Sequence, residues 1–303
     1  GGIYSYMIKK NFTFSVVIIF VSLLIVGCSK SQSSNLDNYK GDVTEYSSEF
    51  KNLEESYGAI LGIYAVDTGT GNVVSYNADE RFAYASTYKA LAAGAILEKY
   101  SIEELENIVH FTEQDVLSYA PVAKDKVSTG MTIREICEAA VRQSDNTAGN
   151  LQFDLIGGPE GFKKSLEKIG DNITEPSRKE TELNEATPGD IRDTSTPKQL
   201  ALDLKEYVVG NVLSDDKKAI FIDWMSNNAT GNALIRAGAP SDWVVADKSG
   251  AASYGTRNDI AVVTPPGKDP IFVAILSKKQ GKDDKYDNKL IEDAARIVFK
   301  YIQ

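Results

Sequence analysis

The sequence has 303 residues, 42% of them hydrophobic and 25% charged, which is an ordinary globular composition and allows one large domain or two lobes. Its formal net charge of −10 argues against a nucleic-acid partner, because phosphate binding requires a basic face. The chain has one histidine, His110, and two cysteines, Cys28 and Cys137, which are too few ligands for a zinc hydrolase. We therefore expect no metal and no cofactor. We interpret His110 as a surface residue rather than as part of a catalytic triad, so a general base is expected to be Lys or Glu.

The first part of the chain has the features of an export signal. From Met7, two lysines precede an apolar run that ends at Gly-Cys28, and this end resembles a bacterial lipobox. We predict a signal peptide with its preceding residues over 1–27, then a lipidated Cys28 and a polar tether over 28–44. The alternative is an uncleaved N-terminal anchor. In both cases the domain is expected outside the cytoplasmic membrane, on a lipid anchor or partly released as a soluble form, and Cys137 is expected to be a buried free thiol.

In the rest of the chain, segments whose apolar residues have the spacing of a helix alternate with segments that are apolar like strands. Apolar spacing and turn residues first predict a hairpin over 59–67 and 73–76 and a buried helix over 86–100. Caps predict a helix after the capping box at Thr132 and another from Thr196 to Gly210. The last part of the chain is predicted to form strands over 243–247, 259–264 and 271–277 and a final helix with the apolar stripe Leu290, Ala294, Ile297 and Tyr301. Strands at both ends of the chain indicate one sheet assembled from both, with helices inserted between them. This order predicts the α+β class.

Three short motifs occur on these elements in a fixed order. Ser86 and Lys89 are three residues apart at a helix start, so they share a face, and the helix N-terminus favours a negative charge there. The same spacing occurs elsewhere in the chain, so alone it indicates nothing. Here, however, it is followed by Ser-Asp-Asn at 144–146, at a helix end, and by Lys-Ser-Gly at 248–250, at a strand end. S-x-x-K, S-D-N and K-T-G together are the signature of class A β-lactamases and penicillin-binding proteins.

A fourth segment makes the resemblance more specific. The segment 180–184, Glu-Thr-Glu-Leu-Asn, lies between Arg178 and Asp193 and looks like the Ω-loop of class A enzymes. The sequence thus resembles a class A serine β-lactamase of the lipoprotein type over roughly residues 45–303. The resemblance implies a β-lactamase/transpeptidase-like fold, an antiparallel five-stranded sheet from both chain ends flanked by helices, with an inserted all-helical lobe. The α/β lobe would comprise about 45–85 and 223–303, and the helical lobe about 86–222.

The resemblance also implies catalytic roles. Ser86 would attack the lactam carbonyl, and the backbone N–H groups of Ser86 and Ala251 would hold the oxyanion. Either Lys89 or Glu180 would be the base for acylation, and Glu180 would activate the water that hydrolyses the ester. Ser144 would pass a proton to the leaving lactam nitrogen.

Further matching positions are implied to bind the substrate or to shape the site. Substrate contacts are expected from Tyr119, Asn146, Asn184, Lys248, Ser249, Gly250 and Arg257. The structural residues of the Ω-loop would be Arg178, Asp193 and Asn150. Thr181 stands where many family members have proline after a cis peptide bond.

The predicted function is hydrolysis of β-lactam antibiotics through a serine acyl-enzyme, which gives antibiotic resistance. The protein is expected to act as a monomer on a small β-lactam and to contact the membrane only through its lipid. One alternative is a penicillin-binding D,D-peptidase or β-lactam sensor that is acylated without turnover. Another is an envelope lipoprotein that binds a ligand without catalysis. Glu180 with Asn184 favours the hydrolase, because the first alternative lacks a deacylating carboxylate and the second needs no such group.

Overall fold

The computed structural model of the chain describes residues 40–303, with side chains described from Glu45 onward. Its strands are β1 (Ile60–Asp67), β2 (Val73–Tyr76), β3 (Phe82–Ala83), β4 (Ile108–Val109), β5 (Met131–Thr132), β6 (Thr194–Ser195), β7 (Val244–Ala252), β8 (Thr256–Thr264) and β9 (Ile271–Lys278). Its α-helices are α1 (Lys40–Tyr57), α2 (Tyr88–Lys99), α3 (Ile133–Gln143), α4 (Asn146–Leu155), α5 (Gly158–Lys168), α6 (Pro197–Val209), α7 (Asp215–Ser226), α8 (Ile235–Gly238) and α9 (Asn288–Tyr301). The predicted signal peptide, Cys28 and residues 29–39 lie outside the described residues.

The central sheet has five antiparallel strands in the order β2-β1-β9-β8-β7. The chain enters the sheet by the hairpin β1–β2 and returns for the last three strands, so β1 pairs with β9 in the register Ile63↔Ile275. Since successive side chains point to opposite faces, β9 places Val273 and Ile275 on one face and Phe272 and Ala274 on the other. Both faces of this sheet are therefore buried.

The two faces are covered by different helices. On one face, Phe50 of α1 and Val298 of α9 pack against the sheet. The other face meets α6, whose Leu200 belongs to the same core cluster as Phe272 of β9. Beyond α6, α2 is enclosed by α3, α4, α5 and α7, and ten of its twelve residues are buried. A helix that is apolar on all sides is stable only in such a position, so the composition of α2 places it at the centre of the helical lobe.

The predicted fold class and the sheet built from both chain ends are confirmed. The capping box at Thr132 is present, with its hydroxyl accepting from the Glu135 N–H at 3.1 Å, and Thr196 caps α6 in the same way. β7 does not end at 247 but continues to Ala252, because its ladder to β8 extends to the pair Ala252↔Thr256. The Lys-Ser-Gly motif, which we expected at a strand end, thus lies within the second half of β7.

Several helices were not predicted. These are α1, α4, α5, α7 and α8. α1 begins at Lys40, inside the segment that we expected to be tether, because Tyr46 and Phe50 give it an apolar face against α9. α7 continues to Ser226, past the expected end of the helical lobe. Within residues 40–303, no helix combines the length and apolarity needed to cross a membrane.

Candidate active site

Ser86 lies at the start of the buried helix, in a 3-10 turn over Ala85–Thr87 that leads directly into α2. Ala85 has a φ of 50°, which is uncommon for a residue other than glycine and is a form of strain concentrated at functional sites. β7 passes directly beside this turn, since a Cβ added to Gly250 would lie 3.1 Å from the Ser86 nitrogen. The missing side chain of Gly250 lets β7 approach the Ser86 backbone closely, as a pair of oxyanion donors from the two segments would require.

Lys89 is the centre of the hydrogen-bond network. Its ammonium is fully buried and donates to Ser86 Oγ at 3.0 Å, to the Ser144 carbonyl at 2.9 Å and to Asn146 Oδ1 at 2.7 Å. The Glu180 carboxylate lies 3.5 Å from Lys89 Nζ. Burial lowers the pKa of the Lys89 ammonium, and the Glu180 carboxylate acts in the opposite direction. The ammonium therefore touches the nucleophile while its proton is held less tightly than on a free lysine.

The Ser-Asp-Asn motif forms the link between α3 and α4. Ser144 ends α3 with a φ of 56°, and its hydroxyl lies near Lys89 and near Lys248 of β7. Asp145 caps α4. The buried Asp145 carboxylate also accepts the N–H groups of Val122 and Ala123, both at 2.9 Å. Asn146, the first residue of α4, is thereby fixed with its amide oxygen on Lys89. A helix end with these caps holds the motif rigidly.

A second buried cation faces Ser144 from the sheet. Lys248 of β7 donates to Ser144 Oγ at 3.1 Å and to the Ser249 carbonyl at 2.7 Å, while Lys89 lies 3.4 Å from the same hydroxyl. Burial lowers the pKa of Lys248 to about 7, with the charge of Lys89 acting in the same direction. A hydroxyl between two ammonium groups is well placed to pass a proton.

We call residues 178–193 the Ω-loop, and it carries Glu180 into the same cluster. Asn150 of α4 holds Glu180 by its backbone: the Glu180 N–H donates to Asn150 Oδ1 at 2.8 Å, and Asn150 Nδ2 donates to the Glu180 carbonyl at 3.2 Å. Asn184 Nδ2 donates to Glu180 Oε2 at 2.8 Å. The peptide bond between Glu180 and Thr181 is cis. The carboxylate is therefore fixed on both sides and buried.

The ends of the Ω-loop are joined by an ion pair. Arg178 Nε donates to Asp193 Oδ2 at 2.6 Å, and the Asp193 carboxylate also accepts the Ser177 and Arg178 N–H groups and the Tyr84 hydroxyl. Asp193 is fully buried. Since Tyr84 is two residues before Ser86, the same carboxylate connects the loop to the segment that carries the serine.

The predicted substrate groups lie at the edges of this cluster. Ser249 Oγ lies 2.7 Å from Thr230 Oγ1, and Arg257 of β8 is opposite Ala251 in the ladder. Tyr119 is 49% exposed, and its hydroxyl donates to the Gln143 carbonyl at 3.0 Å, beside Ser144. The structure thus joins many of the predicted site residues in one network of polar contacts, the cleft between the sheet and the helical lobe: Ser86, Lys89, Ser144, Asn146, Asn150, Glu180, Asn184, Lys248 and Ser249. Arg178 and Asp193 lie at the base of the Ω-loop instead.

The described part of the chain contains one histidine and one cysteine. His110 is exposed at the end of β4, as expected of a surface residue. Cys137 is a buried free cysteine, and burial raises the pKa of its thiol to about 12. In residues 40–303, no group of three His, Cys, Asp or Glu side chains is placed to hold a metal ion.

The chain is similar to proteins of one known family. The model of the family described as "Beta-lactamase enzyme family" matches residues 45–302. The crystal structure of a class A beta-lactamase from Clostridium kluyveri DSM 555 is 60% identical in sequence with a TM-score of 0.84, and the match covers 85% of this chain and 98% of that one. The chain belongs to the class A β-lactamases.

Other relatives support this assignment. A β-lactamase of Bacillus subtilis (strain 168) is 56% identical over 250 residues, which cover 82% of this chain and 82% of the relative. β-Lactamase 1 of Bacillus cereus is 56% identical over 252 residues, covering 83% and 82%. At lower identity, 36%, the β-lactamase structure from Streptomyces albus G still has a TM-score of 0.83, over 86% of this chain and 100% of that chain.

Some residues of the β-lactamase cleft were not found from the sequence. Arg257 Nε donates to Asn288 Oδ1 at 2.9 Å, and its guanidinium lies 4.5 Å from the centre of the Tyr286 ring. These partners lie at the start of the last helix, and no local pattern marks them. Asn258 and Thr230 stand in segments that match the family, but the sequence indicates no role for them. Asn258 Nδ2 donates to the Ala83 carbonyl at 2.8 Å and so supports the segment before Ser86.

Proposed function

We propose that this β-lactamase hydrolyses β-lactam antibiotics in two steps, with Ser86 forming an acyl-enzyme and Glu180 activating the water that releases it. The observation that carries the proposal is the continuous contact from Ser86 Oγ to Lys89 Nζ and on to the Glu180 carboxylate, at 3.0 and 3.5 Å. Nucleophilic catalysis by serine needs a base within hydrogen-bond reach, and Lys89 is within that reach. Resistance to β-lactam antibiotics follows from the turnover.

The polar atoms around Glu180 favour a role in deacylation. Glu180 Oε1 and Asn184 Oδ1 are both buried acceptors without a hydrogen-bond partner among the described residues. Buried acceptors seldom remain without a donor. A water molecule between these two oxygens would donate one O–H group to each of them. Such a water would lie beside the carboxylate that deprotonates it.

We expect the substrate carboxylate to bind at the edge of the cleft formed by β7 and β8, where positive charges lie. Lys248, Ser249 and Arg257 present two positive charges and a hydroxyl there, and the guanidinium is held in place by Asn288. Ser144 lies between Lys248 and Lys89, where it would protonate the leaving lactam nitrogen. Because all of these groups come from one chain, we expect the monomer to be active.

The experiment is intact-mass spectrometry from milliseconds to hours after benzylpenicillin is added. In the unmodified enzyme, a penicilloyl adduct should appear and disappear while drug is consumed in large excess over protein. Ser86→Ala should give no adduct. Glu180→Gln should form the adduct but release it at least about 10²-fold more slowly, the low end of what a general base contributes.

The matched control is Glu182→Gln, which removes an exposed carboxylate from the same loop and should release the adduct normally. Unimpaired release in Glu180→Gln would contradict the role of Glu180. A persistent adduct in the unmodified protein would instead favour a penicillin-binding protein or sensor.

We also propose that Cys28 carries a lipid that holds the enzyme on the outer side of the cytoplasmic membrane, after removal of residues 1–27. Support comes from the sequence: two lysines, an apolar run and a Gly-Cys end are the parts of a lipoprotein signal. Cys28→Ser should move the enzyme from the membrane pellet to the soluble fraction, and Cys137→Ala is the control for the other cysteine. Equal membrane association of Cys28→Ser and unmodified protein would favour the uncleaved anchor.

A further inference from the structure

Apart from the cleft, a cavity lies between residues 186–191 of the Ω-loop, the start of β1 and the end of β9. Its volume is about 650 Å³, within the range of pockets that bury drug-sized molecules. It contains none of the residues assigned above to catalysis, substrate binding or the Ω-loop ion pair. The active site therefore does not account for it.

The walls of this cavity are largely apolar. Phe82 of β3 and Ile60 of β1 line it from the sheet, and Pro188 and Ile191 line it from the Ω-loop. Ile191 is 58% exposed, which is unusual for a large aliphatic side chain in an otherwise polar loop. An apolar ligand would cover part of this surface.

Two cations on the same lining lack a counter-ion. The Arg81 guanidinium donates to Thr194 Oγ1 at 3.1 Å, and Lys278 Nζ donates to the Arg81 carbonyl at 2.8 Å. Neither forms an ion pair with a carboxylate in the described part of the chain, whereas the neighbouring Lys279 is paired with Asp287 at 2.7 Å. Lys278 is half-buried over the Phe82 ring, 4.4 Å from its centre, and burial lowers the pKa of its ammonium.

The carboxylates nearby offset this charge only in part. Asp190 is already bound to Arg192 at 2.7 Å, and Glu80, which also lines the cavity, acts on Lys278 from a distance without forming an ion pair with either cation. A half-buried cation beside an apolar wall favours an anionic group that replaces the lost hydration. The cavity is thus apolar over most of its surface and cationic on one side.

We propose that this cavity binds a small amphipathic monocarboxylate, with its carboxylate on Arg81 and Lys278 and its aliphatic or aryl tail against Pro188 and Ile191. Two donors on one side and an apolar wall on the other match the two ends of such a molecule. This site is separate from the one that binds the β-lactam carboxylate through Lys248 and Arg257, and it does not depend on the mechanism proposed for that site.

The probe is sodium octanoate, titrated into the ¹⁵N-labelled enzyme and followed by backbone amide shifts. Saturable shifts are expected at Ala83, Ile191 and Lys278. Octanamide, which has the same tail without the charge, should bind about tenfold more weakly, because the charge-assisted hydrogen bonds are lost. This comparison uses the unmodified protein and needs no variant to fold.

Substitution then locates the charge contacts. Arg81→Gln with Lys278→Gln should weaken octanoate binding by about tenfold, while Lys268→Gln should leave it unchanged. Lys268 is exposed in the turn before β9, and Lys278 lies at the other end of this strand, which is about 23 Å long. Shifts confined to residues 248–257, equal affinity for octanamide, or the same affinity in the Arg81 and Lys278 variant would each overturn the proposal.

Discussion

At the scale of single residues, the site depends on two buried lysines that share one hydroxyl. Lys89 and Lys248 are both fully buried, and both lie within 3.4 Å of Ser144 Oγ. Burial lowers the pKa of both ammonium groups, and the charge of Lys89 lowers the pKa of Lys248 further. Two such groups in one cleft make activity sensitive to pH near neutrality.

We predict that kcat/KM for benzylpenicillin falls as the pH rises through about 7, the pKa of Lys248, because only the protonated lysine attracts the substrate carboxylate. The sign follows from the charge: the cation is present below that pKa and is lost above it. Lys248→Arg should remove this decline, since a guanidinium stays protonated throughout the range. The measurement is kcat/KM from pH 5 to 10 for both proteins.

Lys268→Arg, an exposed lysine in a turn, is the control for that series and should keep the decline. If Lys248→Arg keeps it as well, the titrating group is another one, and Lys89 is the next candidate.

At the scale of elements, the Ω-loop is held by a few polar contacts rather than by regular secondary structure. Its only helical part is a single 3-10 turn over Glu182–Asn184. Asp193 accepts four hydrogen bonds at the base of the loop, and Asn150 holds the backbone at Glu180. The position of the Glu180 carboxylate therefore depends on these two anchors.

The chain offers a matched pair of arginines to test this. Arg178→Gln breaks the ion pair to the buried Asp193 and should lower the free energy of unfolding by about 3 kcal/mol, since the buried carboxylate then keeps only uncharged donors. Arg192→Gln removes an ion pair whose arginine is 52% exposed and should cost less than about 1 kcal/mol. Urea denaturation of both variants gives the comparison.

Turnover should separate the two variants in the same way. Arg178→Gln should release the penicilloyl adduct more slowly because Glu180 is displaced, and Arg192→Gln should release it at the normal rate. Equal effects of the two substitutions on stability and release would show that the Asp193 ion pair does not hold the loop.

At the scale of the whole molecule, buried carboxyl groups join parts that are distant in the sequence. Asp171, after α5, accepts hydrogen bonds from Thr174 and from the Ile173 N–H, and its charge acts on the carboxyl group of Asp203 of α6. Both side chains are buried, and burial raises the pKa of Asp203 well above its usual range, with Asp171 adding to the effect. Asp203 therefore keeps its proton at a pH where an exposed aspartate has lost it.

This contact should make the stability of the enzyme decrease toward alkaline pH. The folded state keeps a proton on Asp203 that the unfolded chain releases above pH about 4, so the free energy of unfolding falls as the pH rises above that value. Asp203→Asn keeps a donor toward Asp171 without a titrating group. Its Tm relative to the unmodified enzyme should rise between pH 5 and pH 9 by at least about 2–4 °C, the change expected for 1 kcal/mol in a domain of this size.

Thermal unfolding monitored by circular dichroism at the two pH values measures this difference. Asp283→Asn, which removes an exposed carboxylate, should show no such dependence on pH. An Asp203→Asn protein whose relative Tm is the same at both values would place the proton elsewhere.

Local signals in the sequence determined much of this protein. The capping residues Thr132 and Thr196, the apolar runs of β1 and β9 and the apolar composition of α2 each predict an element that the structure contains. The order of the motifs at Ser86, 144–146 and 248–250 also identified the cleft, because each depends on residue type and spacing alone. These features are properties of neighbouring residues in the chain.

Only the tertiary structure decided how these parts meet. The contacts of Lys89 with Ser144, of Arg257 with Asn288 and of Asp203 with Asp171 join residues that are 55, 31 and 32 positions apart. The cavity beside Arg81 and Lys278 likewise forms only where the Ω-loop folds back on the sheet. Such contacts depend on which faces of the helices and strands are buried together, and burial also sets the pKa of Lys248. A pattern of neighbouring residues carries no information about the dielectric surroundings that the rest of the chain provides.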